Sequence, residues 1–119
     1  MIQNNGIQKL KSKIQIDLIF KKGRVFKSGA LIMHYVNRKD GIENTRIGVG
    51  VSKRFVHLAH RRNRIKRQIR AVINLKKGEV LRTFPPGLYM VLYKGEVSVT
   101  IEKLEHDFDG LLKSFIGCD

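Results

Sequence analysis

Apolar residues recur at helical spacing in three stretches of this chain and alternate in several others. Ile65, Ile69, Val72 and Ile73 fall at i, i+4, i+7 and i+8, which is one stripe of a helix. They predict a helix over residues 59–76. Around that helix Asn63, Arg64, Arg67 and Arg70 point away from the stripe, His60 and Asn74 share their side, and Arg62 and Lys66 flank it. Ile101, Leu104, Phe108, Leu111, Leu112, Phe115 and Ile116 predict a second amphipathic helix over 101–116, with Thr100 as its N-cap and Glu102 at the favourable end of the dipole. A shorter helix fits 12–23. Ser12 can cap it, Gly23 follows its last turn, and Ile16, Ile19 and Phe20 form one face. The alternation of Ile14, Ile16 and Leu18 also allows a strand there.

The strands come between and after these helices. Residues 24–27 are a short extended piece ended by Ser28-Gly29, and 30–36 read as a good strand. Residues 37–45, with Lys39-Asp40-Gly41, resemble a hairpin connection. In 46–52, Ile47, Val49 and Val51 lie on one side and Gly48 and Gly50 on the other. Glycines on one strand face mark close approach by another backbone, a ligand or a tightly packed helix. Residues 79–83 fit either a short helical turn or a loop, and Pro85-Pro86-Gly87 forces a break. The continuous apolar run 88–93 reads as a central strand covered on both faces. The polar stretch 1–11 reads as a loosely held arm. The whole is expected to be one domain over 1–119, an α+β two-layer sandwich. It would have a mixed sheet of about four strands and three helices, in the order α-β-β-β-α-β-α.

Charge changes the picture. The chain has 119 residues and a formal net charge of +14, which points to nucleic acid first and an anionic membrane surface second. Eight of its 24 Lys and Arg residues lie between Ser52 and Arg70: Lys53, Arg54, Arg61, Arg62, Arg64, Lys66, Arg67 and Arg70. No Asp or Glu occurs between Glu43 and Glu79, whereas five of the ten acids lie in 96–109. A merely soluble helix face mixes both signs, because like charges three and four apart repel. The pairs Arg61–Arg64, Arg64–Arg67, Arg67–Arg70 and Lys66–Arg70 all repel, so a partner is expected to supply the negative charge. Membrane binding ranks last, since the cations oppose a core stripe and not exposed bulky apolar residues.

Catalytic and metal constellations are poorly supported. The single cysteine, Cys118, excludes an internal disulfide framework and a cysteine-based zinc site and fits a reducing cytosol. No apolar run suits a signal peptide or a membrane span. His57 and His60 are three apart, without a carboxylate nearby to complete a ligand set; acid–base RNA cleavage by this pair is a weaker reading than phosphate contact or packing. Asp107 and Asp109 read as solvating their helix. Gly48-Val49-Gly50 lacks the later glycine of a nucleotide loop. Binding chemistry is better supported, because guanidinium groups fork onto phosphate oxygens and a stiff helix fixes their spacing.

The block Arg62-Asn63-Arg64-Ile65-Lys66-Arg67 with Arg70, preceded by Val49, Val51, Ser52, Lys53 and Arg54, resembles the signature of the bacterial ribonuclease P protein component. The upstream Ile19-Phe20-Lys21-Lys22-Gly23 is similar to that family's early helix. The likeness runs from about residue 11 to 115. Three features depart from the pattern: His57-Leu58-Ala59-His60-Arg61 replaces the usual Gly-Asn-Ala-Val, Ala71 follows the last arginine in place of a glutamate, and Ile16 stands where an aromatic is common.

The resemblance implies an endoribonuclease subunit whose catalysis belongs to an RNA partner with bound Mg2+, in a 1:1 cytoplasmic complex. The protein itself would hold no catalytic residue and no metal. By the same resemblance Arg62, Asn63, Arg64, Lys66, Arg67 and Arg70 would contact the catalytic RNA, with Lys53, Arg54 and Arg61 beside them. Phe20, with His34 or Tyr35, would line a cleft for the single-stranded 5′ leader of precursor tRNA; strand alternation lets only one of the latter two face it. The resemblance further implies a left-handed β-α-β crossover around the basic helix. The alternative is a structural RNA-binding protein of ribosomal type, without a role in cleavage.

Overall fold

A computed structural model describes residues 7–10, 12–37 and 45–117. The elements run β1 (Ile7–Lys9), α1 (Lys13–Lys22), β2 (Arg24–Ser28), β3 (Leu31–Asn37), β4 (Thr45–Val51), α2 (Ala59–Leu75), α3 (Lys77–Thr83), β5 (Gly87–Tyr93) and α4 (Ile101–Gly117). The five strands form one mixed sheet in the order β1-β4-β5-β3-β2. β4 runs parallel to both β1 and β5, while β3 is antiparallel to β5 and β2. The chain is α+β, as the pattern predicts. It adds β1 at one edge and resolves the ambiguous 79–83 stretch as part of α3.

Strand alternation divides the sheet into two faces. On one, Leu31, Met33, Tyr35, Ile47, Tyr89, Val91 and Tyr93 join the buried stripes of α2 and α4. All four stripe residues of α2 are at most 5% exposed, so the 3.6-residue period in the sequence is the period of burial. On the other face Leu88 packs with Ile19 of α1 and with Leu10, flanked by Ile16, Val36 and Met90. α1 begins and ends where the sequence says it should: Ser12 Oγ accepts from Gln15 N at 3.3 Å, and Gly23 N donates to Ile19 O at 2.7 Å. Thr100 Oγ1 likewise accepts from Lys103 N at 3.1 Å, opening α4. The run 88–93 is the middle strand, β5, covered on both faces.

Two expectations need correction, and one open choice is resolved. β3 and β4 are not a hairpin, because β5 lies between them and bonds to both; residues 38–44 of that connection lie outside the described residues. Within the supposed arm, Ile7–Lys9 pair in register with Thr45, Arg46 and Ile47, and Leu10 is buried. The glycine face of β4 is approached by the chain after β1: a Cβ on Gly48 would stand 3.3 Å from Leu10 O and 2.7 Å from Met90 Sδ. What that glycine makes room for is the Met90 side chain and the Leu10 backbone, and not a helix.

Asp107 does not solvate α4. It is 2% exposed, its Oδ2 accepts from Ala30 N at 3.1 Å, and Lys103 Nζ lies 2.7 Å from both its oxygens. Gly29, at φ 55°, turns β2 into β3 beside that carboxylate, and a Cβ there would fall onto it. Asp109 instead pairs with Lys76 at 2.9 Å, and Glu105 with the same ammonium at 3.3 Å. These bonds hold the Lys76 ammonium above its ordinary pKa range, the Asp109 hydrogen bond contributing most. The end of α2 is thereby tied to α4.

Candidate nucleic-acid interface

The cationic side of α2 is where the stripe says it should be. Asn63, Arg64, Arg67 and Arg70 are exposed, as is Arg61 in the first turn, and Lys66 is half-buried at the flank. Lys53 and Arg54 are exposed on the turn between β4 and α2. Among the described residues, Lys53, Arg54, Arg61, Arg64, Lys66, Arg67 and Arg70 make no ion pair and no side-chain hydrogen bond. Glu105 and Asp109 of α4, which face the end of α2, are engaged with Lys76. A row of uncompensated cations thus stands on a helix anchored by four buried side chains, and such a row attracts polyanions.

Arg62 differs from its neighbours. Its Nη1 donates to Val56 O at 3.0 Å and to His57 O at 2.6 Å, which braces the turn leading into α2. α2 has no side-chain N-cap, since Leu58 occupies that position, and the Arg62 bonds tie down carbonyls just ahead of it. Part of this guanidinium is therefore occupied inside the fold, a role the sequence motif does not reveal. Gln68, on the side facing α4, donates from Nε2 to Val99 O at 3.0 Å. His60, Arg61 and Arg64 border a groove between α2 and residues 97–99.

A second site lies on the opposite face of the sheet. Phe20 projects from the last turn of α1 with 45% exposure, so it is not an ordinary core residue. Its ring meets His34 of β3 edge-on, centroids 4.8 Å apart at 74°. The register places Val25 and Met90 on either side of His34. Burial first, and the positive charge of Lys94 second, lower the His34 pKa below its ordinary value, so the neutral imidazole is favoured. Tyr35 is not in this cleft. It is 7% exposed on the other face, with ring centroids 4.7 Å from Tyr89 and 5.1 Å from Phe115. Of the two alternatives, His34 faces the cleft because Tyr35 belongs to the aromatic core under α4.

Arg46 was passed over in the sequence. It shares the strand parity of Gly48 and Gly50, and its register partner Leu88 belongs to the cluster under α1. Its Nε is buried without a hydrogen-bond partner among the described residues. The signal was its place in the Arg-x-Gly-x-Gly alternation, which puts a cation on the α1 side of the sheet.

A mixed sheet with a cationic helix on one face and an aromatic cleft on the other is the frame of a small basic α+β protein. A family model described as Ribonuclease P matches residues 5–115. The ribonuclease P protein component of Syntrophomonas wolfei is 30% identical over 95 residues, covering 80% of this chain and 76% of that one. That of Finegoldia magna is 31% identical over 99 residues, covering 82% and 80%. The fold is similar to the RNase P protein of Staphylococcus aureus, with a TM-score of 0.74 at 24% identity over 89% of this chain and 93% of that one. It is also similar to that of Thermotoga maritima, with a TM-score of 0.72 at 24% identity over 90% and 96%. The chain belongs to the ribonuclease P protein component family, the protein subunit of an endoribonuclease.

Proposed function

We propose that this chain binds the catalytic RNA of ribonuclease P through α2 and holds the 5′ leader of precursor tRNA in the Phe20–His34 cleft. The RNA carries the chemistry with magnesium, and the protein acts as one copy per RNA in the cytoplasm. What carries this reading is the acid-free side of α2, whose cations other than Arg62 find no partner within the described fold. Counterion release from phosphates gives such a surface its affinity. The cleft supports the second contact. An exposed Phe20 edge beside a neutral imidazole suits stacking of unpaired bases with little sequence demand. Arg46 on the same side adds a cation whose Nε lacks an acceptor.

Cleavage of precursor tRNA by a bacterial ribonuclease P RNA at low magnesium, with and without the protein, tests the reading. The protein is expected to restore cleavage at the mature 5′ end, and to be inert without the RNA. It should also favour precursor over mature tRNA in the presence of the RNA. Tight RNA binding without rescue would leave a structural RNA-binding protein and sink the proposal.

A further inference from the structure

The turn between β4 and α2 is built to hold one side chain outward. Val51 ends β4, and Ser52 N donates to Tyr93 O at 3.2 Å. Ser52 Oγ then accepts from Arg54 N at 3.2 Å, and Ser52 O accepts from Val56 N at 3.0 Å, closing a single turn over residues 52–56. Val56, with no exposed surface, plugs that turn into the core beneath α2 and α4. Arg62 clamps it from the helix side through the Val56 and His57 carbonyls. The residue this frame pushes out is Phe55, 49% exposed. Its neighbours Lys53, Arg54 and His57 are exposed as well.

Single exposed apolar side chains are ordinary. Phe55 differs in its setting: it is an aromatic ring held on a fixed turn, set among cations, in a stretch with no acid from residue 44 to 78. A ring that only needed solubility would be poorly placed there, whereas a ring that meets an RNA base is well placed. The cations draw in the phosphates, and the ring gives the base a surface to stack on. We infer that Phe55 is a stacking platform for an unpaired base of the same RNA that α2 docks on. The platform rests on the reading that α2 binds the catalytic RNA. It is assigned to that RNA and not to the leader because Val56 anchors the turn in the α2–α4 layer, on the sheet face opposite Phe20 and His34.

The chain contains no tryptophan, so Phe55→Trp creates a lone fluorescent reporter at the platform. With the wild type, Phe55→Ala, Phe55→Tyr and Phe55→Trp, we would measure affinity for the catalytic RNA alone over a range of salt. The Ala variant is expected to bind roughly 5- to 150-fold more weakly, with an unchanged salt slope because no cation is lost. The Tyr variant should hold near wild-type affinity, and the Trp emission should be quenched on RNA addition. Wild-type binding that is tight and salt-sensitive, with the Ala variant within twofold of it or the Trp unquenched, overturns the platform while leaving the α2 reading intact. A Tyr variant as weak as the Ala variant also overturns it, since the ring would not be what matters. A loss seen only when precursor tRNA is present would move Phe55 to the substrate and overturn the assignment. No wild-type binding at all would instead sink the α2 reading itself.

Discussion

Arg64 and Arg67 stand nearly one turn apart on the exposed side of α2, with no acid near either in sequence. Each is expected to displace about one phosphate counterion when the RNA docks. Replacing either with Gln should weaken RNA binding and flatten the dependence of log affinity on log salt by about one unit; an unchanged slope would remove that residue from the interface. Arg62 should behave differently. Because its Nη1 braces the entry to α2, Arg62→Gln should lower thermal stability as well as affinity, where Arg64→Gln should leave stability equal or higher. His34 makes a residue-scale prediction in pH. Its folded pKa lies below the ordinary value of 6.5, through burial and then Lys94. The unfolded chain therefore takes up the proton first, and the stabilisation from neutral His34 is complete above about pH 6.5 and lost as pH falls below it. His34→Gln should flatten the urea-midpoint profile between roughly pH 7 and pH 5. An identical slope in the variant would show that other groups set it.

Asp107 matters at the scale of elements, since it joins α4 to the turn between β2 and β3. Removing its carboxylate strands Ala30 N and frees Lys103. Asp107→Ala should lower unfolding free energy by about 1.5–3 kcal/mol with little effect on RNA affinity, measured by urea titration beside a binding assay. Nothing in the sequence announced this carboxylate, because a lone Asp on an amphipathic helix looks the same whether it meets water or a backbone amide. The stripes of α2 and α4, the Ser12 and Thr100 caps and the apolar β5 were legible, because each is a local pattern with a fixed period or a fixed chemistry. β1 was not legible: three residues with one parallel neighbour carry no period, and their pairing is a property of β4. The false hairpin had the same origin, since turn chemistry at 39–41 says that the chain turns and not which strand it meets. In the candidate interface, the charge of α2 was readable, while the choice of His34 over Tyr35 needed the sheet face that α4 covers.

For the whole molecule, net charge sets two opposite responses to salt. The fold carries +14, and the like-charge pairs along α2 each cost a few tenths of a kcal/mol, on the order of the gain from opposite pairs. Screening that repulsion should raise the thermal midpoint of the free protein as neutral salt is added, while the same salt weakens the complex with RNA. A midpoint that falls steadily with salt would show that the ion pairs of Lys76 and Lys103 outweigh the repulsion.

The strand order also bears on biosynthesis. β5 is the last strand made, yet it is the middle of the sheet and joins β4 to β3. α2 is translated before it and packs against β4, already made, and against α4, made last. While the chain is still growing, then, the basic motif is expected to leave the ribosome with the α4 side of its apolar stripe still uncovered. Only when α4 has followed does the helix acquire the second wall that covers its apolar stripe and holds its cationic side outward.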